Sequence, residues 1–87
     1  MIYQLAKVTL YSKPDCPLCD EARGALERVR GRVGFDLTEV DITADHTLEA
    51  VYRERIPVVA VEGEELFDFH VDESALERRL AEEALTR

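Results

Sequence analysis

Two cysteines, Cys16 and Cys19, are the residues of this sequence best suited to chemistry, and the chain contains no others. Bridged, they would close a loop too small to tie distant segments together, which is what disulfides do in small secreted domains. Reactivity is therefore the better reason for the pair. Cys16-Pro17-Leu18-Cys19 falls where a run with strand character gives way to helical periodicity. The first cysteine then stands at a helix N-terminus, where unpaired N–H groups and aligned peptide dipoles favour a thiolate. Lys13, three residues upstream, adds a cation, while Asp15 and Asp20 oppose it. A moderate lowering of the Cys16 pKa from its free value of about 8.5 is expected, which makes it the nucleophile. Cys19, one turn further in and on the face of Ala22, is expected to be shielded. Cys16 would attack a substrate disulfide, and Cys19 would resolve the mixed disulfide, leaving the pair oxidised.

The elements that must position this pair can be read from periodicity. Leu5 to Tyr11 alternates loosely with Val8, Leu10 and Tyr11, a strand pattern, and Ser12-Lys13-Pro14-Asp15 reads as a turn. From Pro17 to about Arg30, Cys19, Ala22, Leu26 and Val29 recur at helical spacing, with Arg23, Glu27 and Arg30 outward. Pro17 suits the first helical position, Gly31 and Gly34 are expected to end the helix, and mid-helix Gly24 points to close packing. Phe35 to Ile42 alternates as a second strand. Thr43 or Asp45 can cap a helix with Leu48, Val51 and Tyr52 on one face. Val58 to Val61 is a β-branched strand, Glu62-Gly63-Glu64 a turn, and Leu66 to Phe69 a returning strand. Asp72 or Ser74 opens a last helix with Leu76, Leu80 and Ala84 inward, Ser74 and Glu77 having capping-box spacing. Tyr11, Phe35, Phe67 and Phe69 are expected to pack on the sheet, and His46 to lie at a solvated helix start. The order β-α-β-α-β-β-α predicts an α/β fold. A right-handed parallel crossover followed by an antiparallel hairpin gives a mixed four-stranded sheet with helices on both faces.

Composition narrows the function classes. The 87 residues are expected to form one domain, 1–87, because a second core would need far more sequence. Acidic residues outnumber basic ones by 19 to 11, a formal net charge of −8, so neither nucleic acid nor an anionic membrane is an expected partner. The apolar run Ile56 to Val61 is too short to span a bilayer and is interrupted by Pro57. The stretch Ile2 to Ala6 has no basic region ahead of an apolar one, so no signal peptide is expected and a cytoplasmic location is.

The segment Tyr11-Ser12-Lys13-Pro14-Asp15-Cys16-Pro17-Leu18-Cys19 resembles the active-site segment of glutaredoxins, in which a strand ending in Tyr-Ser-Lys precedes Cys-Pro-Tyr-Cys. Arg55-Ile56-Pro57-Val58-Val59 resembles their second hallmark, a cis-proline loop entering the third strand; Asp41-Ile42-Thr43 and the helix from Leu48 to Tyr52 match as well. The resemblance covers nearly the whole chain and is strongest to short bacterial glutaredoxin-like proteins. It implies a thioredoxin fold and thiol–disulfide oxidoreductase activity in a monomer. No bound cofactor or metal is implied; glutathione or another low-molecular-weight thiol would serve as co-substrate. Partners would be protein or small-molecule disulfides and a thiol or reductase that donates electrons. Besides Cys16 and Cys19, it implies substrate contacts from Lys13, Pro17, Leu18, Ile56, Pro57 and Asp72. A cis bond before Pro57 would turn the N–H and C=O of Ile56 towards a bound peptide or glutathione.

The sequence departs from the family at two places. Leu18 replaces the motif's tyrosine, and Phe69-His70 stands where glutaredoxins carry two glycines before an acidic pair. Glycines admit close backbone approach by glutathione, and Phe69 and His70 do not. His70 could relay protons near the thiols, or simply end a strand. Two other readings of the cysteines stay open at this level. One is an iron–sulfur or soft-metal module through the same sulfurs; the other is an interaction domain that kept the fold without turnover.

Overall fold

The computed structural model describes residues 5–85; the start of the Ile2 to Ala6 stretch lies outside the described residues. The elements are β1 (Lys7–Ser12), α1 (Pro17–Arg32), β2 (Asp36–Asp41), a single 3-10 turn (Ile42–Ala44), α2 (His46–Tyr52), β3 (Val58–Val61), β4 (Glu64–Asp68) and α3 (Glu73–Leu85). The sheet runs β2-β1-β3-β4, so β2 and β4 are its edges. β1 pairs parallel with β2 and antiparallel with β3, and β3 pairs antiparallel with β4. This is the mixed sheet expected from the element order.

The alternation of β1 and β3 sends side chains to two different covers. Val8 and Leu10 of β1 join Val59 and Val61 of β3, Ala22, Leu26 and Val29 of α1, and Leu76 and Leu80 of α3 in one buried cluster. Tyr11 stacks instead on Tyr52 of α2, with ring centroids 4.3 Å apart, which places α2 on the opposite face. All four residues of β3 are buried, as a strand covered on both sides requires. A bulge opposite Val59 and Ala60 inserts one extra residue into β4, and Leu66 and Phe67 both pack against the large cluster. The hairpin turn has φ values of 50° at Glu62 and 83° at Gly63. Two positive φ values are what a two-residue turn matching the strand twist demands. Glu62 is held there by Lys7, whose N–H donates to the Glu62 carboxylate at 2.7 Å while the Glu62 N–H donates to the Lys7 carbonyl at 2.8 Å.

Several sequence expectations are corrected. β1 runs on through Ser12, which pairs with Asp41 rather than starting the turn. No left-handed glycine ends α1: Gly31 is inside the helix, and Val33 caps it in an extended conformation, its N–H donating to the Val29 carbonyl at 2.7 Å. A methyl at Gly24 would meet only the Arg28 guanidinium at 3.5 Å, so packing does not require glycine there. Val51 is 51% exposed, because a helix of only seven residues has too few turns to bury that position beside Leu48 and Tyr52. Asp72, not Ser74, opens α3, accepting the Ala75 N–H at 3.0 Å; Glu77 pairs with Arg32 of α1 instead of closing a capping box. Ala84 is exposed. Phe69 packs on no sheet face and is 43% exposed. Among the described residues, no helix is long and apolar enough to cross a membrane.

Candidate active site

β1 delivers the chain to the site, and the three residues after it, Lys13-Pro14-Asp15, reverse its direction. Asp15 takes φ of 57°, a left-handed conformation that its short polar side chain tolerates better than most. Cys16 follows in extended geometry as the N-cap of α1, with Pro17 at the first helical position, where a missing N–H costs nothing. In place of the usual cap oxygen, the Cys16 Sγ accepts the Cys19 N–H at 3.2 Å. The sulfur thus sits among the unpaired amides of the first turn, where negative charge is favoured.

Cys16 and Cys19 form a disulfide across Cα atoms 5.2 Å apart. Their exposure differs: Cys16 is partly open to solvent, and Cys19 is fully buried. Cys19 packs with Ile42 and Ile56 in a second apolar cluster, bordered by Tyr11, Cys16, Leu48 and Tyr52. The Ile56–Pro57 bond is cis, as expected, and Pro57 is buried. The Ile56 N–H donates to the Tyr52 carbonyl at 3.1 Å, so one of the two groups expected to face a substrate is already engaged. The Pro57 carbonyl accepts the Phe69 N–H at 2.8 Å and so anchors the loop between β4 and α3.

The cysteines, Pro17, Leu18 and Ile56 are thus brought together at one end of the sheet. Leu18 is 36% exposed between the two cysteines. Lys13 is exposed and lines a cleft of about 370 Å³ with Ser12, Pro14, Arg23, Glu39 and Asp41; no described residue pairs with its ammonium. Asp72 stands at the start of α3, where its carboxylate serves as a cap. His46 is exposed as expected, and His70 is exposed beside Phe69.

Sequence reasoning missed a polar network beside the motif. Ser12 is buried and donates its hydroxyl to Glu39 at 2.7 Å. Arg23, read as a solvated residue, donates to Glu39 through Nε at 2.8 Å and to Asp20 through Nη1 at 2.7 Å. Hydrogen bonding from Arg23 holds the Glu39 carboxyl below the usual range, against the opposing effect of partial burial. The network ties the first turns of α1 to β2, and therefore fixes where the helix presents Cys16. On the α2 side, Tyr52 donates to Glu65 at 2.8 Å, and Arg55 pairs with Glu65 while its guanidinium lies 5.3 Å from the Tyr52 ring centroid. Burial, then the bond to Glu65, holds the Tyr52 phenol above its usual range. Apart from the i, i+3 pair of Arg23 with Asp20, both networks join residues at least ten positions apart, so no local spacing marked them.

Residues 7–81 match the glutaredoxin-like domain family (DUF836). The chain belongs to this family. It is similar to a structural genomics target protein, XcR50, from X. campestris: 37% identical, over 86% of this chain and 96% of that one, with a TM-score of 0.72. An uncharacterized protein of Mycobacterium tuberculosis is 29% identical over 80 residues, spanning 86% of this chain and 82% of its own length. A thioredoxin from Halobacterium salinarum, only 17% identical over 91% of this chain and 74% of its own, superposes with a TM-score of 0.65. At that identity the likeness concerns the fold alone, which is the thioredoxin fold. This glutaredoxin-like domain therefore combines that fold with a cysteine pair close enough to bridge.

Proposed function

We propose that this glutaredoxin-like domain is a thiol–disulfide oxidoreductase in which Cys16 is the nucleophile and Cys19 the resolving thiol. One observation carries the reading: a partly exposed sulfur caps a helix, bonded to a sulfur that solvent does not reach. In the reduced form the Cys16 thiolate attacks one sulfur of a substrate disulfide, and the other sulfur leaves as a thiolate that takes up a proton. Cys19, losing its proton, attacks the Cys16 sulfur of the mixed disulfide and expels the second substrate thiol. Two electrons and two protons reach the substrate, and the domain is left as the Cys16–Cys19 disulfide.

In this reading Lys13, Pro17, Leu18, Ile56, Pro57 and Asp72 are the substrate contacts. Electrons return from glutathione, another low-molecular-weight thiol or a reductase, without a bound cofactor or metal. Cytoplasmic work as a monomer completes the reading. Among the described residues no three His, Cys, Asp or Glu side chains gather as a metal site, so a metal held by the two sulfurs would need ligands from elsewhere.

The test is alkylation of the reduced protein across pH, with mass analysis of each cysteine. Cys16 is expected to react with a midpoint below about 8.5 and Cys19 far more slowly. Cys16→Ser should abolish reduction of a model disulfide, whereas Cys19→Ser should accumulate the mixed disulfide. Full activity in Cys16→Ser would overturn the assignment of roles.

A further inference from the structure

A cleft of about 480 Å³ opens between α1 and the loop joining β4 to α3, with Asp20, Glu21, Arg28, Phe69, His70 and Glu73 among its walls. Each wall starts at a segment that holds the disulfide. Asp20 donates its N–H to the Cys16 carbonyl at 3.1 Å, and Phe69 donates its N–H to the Pro57 carbonyl at 2.8 Å. Asp20, the lining residue of α1 nearest to Cys16 in sequence, lies about one helical turn, roughly 6 Å of rise, beyond it. A polypeptide whose sulfur meets Cys16 has its neighbouring residues within reach of the cleft.

The chemistry of the walls is specific. Phe69 leaves 43% of its surface in water although it is among the largest apolar residues of the chain. Leu18, between the two cysteines, likewise leaves 36% of its surface uncovered. The charges are unequal. Arg28 and Glu73 neutralise one another at 3.0 Å, and Asp20 is engaged by Arg23. Glu21 has no partner among the described residues and stays an open negative charge on the first turns of α1. The formal net charge of −8 adds to its field.

We propose that this cleft selects cystine-containing polypeptides with an apolar and a cationic residue beside the reacting sulfur, Phe69 receiving the first and Glu21 the second. The inference rests on the oxidoreductase reading and adds its substrate class. Disulfides flanked by carboxylates, glutathione disulfide included, meet the same Glu21 charge as a repulsion. The reaction is the exchange already written, with two electrons passing from the Cys16–Cys19 dithiol to the peptide disulfide.

Single-turnover exchange tests this with pre-reduced protein and two synthetic disulfide-linked peptides, one carrying Leu and Lys beside cysteine, the other Leu and Glu. At low salt the lysine peptide is expected to react about tenfold faster, and the ratio to shrink as salt screens the charges beyond about 10 Å. Glu21→Gln should lower the ratio about threefold, the size of one exposed charge pair. Glu82→Gln makes the same change of net charge on α3, roughly 13 Å along the helix from Glu73, and should leave the ratio where it was. Phe69→Gly should slow both peptides relative to neutral bis(2-hydroxyethyl) disulfide; glycine accepts the φ of 69° there, so the loop keeps its course. Equal rates for the two peptides, or equal effects of Glu21→Gln and Glu82→Gln, would overturn the inference. If the native protein fails even with the neutral disulfide, it is the oxidoreductase reading that falls.

Discussion

On the face covered by α1 and α3, eleven buried residues interlock, from Ala6, Val8 and Leu10 to Phe35, Leu76 and Leu80. On the other side, α2 contributes no fully buried residue, and the cluster at the disulfide has three buried side chains, Cys19, Ile42 and Ile56. Contact there depends on a stacked tyrosine pair and on Tyr52 and Arg55 reaching Glu65. The first face supplies stability through apolar burial, the dominant driving force of folding. The smaller cluster lies at the disulfide, where Cys16 stays partly open to solvent and Cys19 is buried. α1 belongs to both clusters, with Leu26 and Val29 in the large one and Cys19 in the small one.

Four substitutions break or sharpen this contrast, beginning with the largest effect. Leu26→Ala, at a fully buried site of the large cluster, should cost about 2–5 kcal/mol by urea unfolding, since apolar burial is lost and a cavity is left behind. Tyr52→Phe, on the α2 face, keeps the ring stack and loses the bond to Glu65, for about 1 kcal/mol. A cost as large as that of Leu26→Ala would show that the α2 face carries stability after all. Gly24→Ala should raise stability by slightly less than about 1 kcal/mol, because the outward side of α1 leaves room for a methyl and alanine favours helix. A loss instead would mean that the core side of α1 is not its only packed side.

The smallest effect is at the β2 edge, where apolar burial gives out and Arg23, Ser12 and Glu39 take over. Glu39→Gln should lower the melting temperature slightly at pH 7. The Glu39 carboxyl is held below its unfolded pKa, so its contribution is present above that value and lost as pH falls through the folded one. The difference between native and variant melting temperatures should therefore shrink as pH drops below about 4.3. A difference that did not change as the solution was acidified would assign the effect to packing rather than to the charge.

Much of this was legible in the residues. Val58–Val61 was read to the residue, because a β-branched run between Pro57 and a glycine turn has one interpretation. The start of α1 was fixed by Cys16-Pro17, and the cis bond at Pro57 by the resemblance of its segment. What failed was information that lives in three dimensions. Val51 lay on a helix too short to define a face, and Ser74 had the spacing of a cap that Asp72 had already taken. Phe69 looked like core by type, yet a loop bond to Pro57 and a left-handed backbone hold it at the surface. The pairing of Arg23 with Glu39 spans two elements that only the folded sheet brings together.

The two open margins of the sheet have a consequence of their own. β2 carries Asp36, Glu39 and Asp41, and β4 carries Glu64, Glu65 and Asp68, with no basic residue in either strand. An unpaired strand invites another chain to extend the ladder, and charge is a standard deterrent. Here arginines from neighbouring segments pair with Glu39, Glu64, Glu65 and Asp68, so a second copy extending either border would meet ion pairs that it must desolvate or break. The fibre-like growth that threatens small open sheets is thereby opposed at both ends.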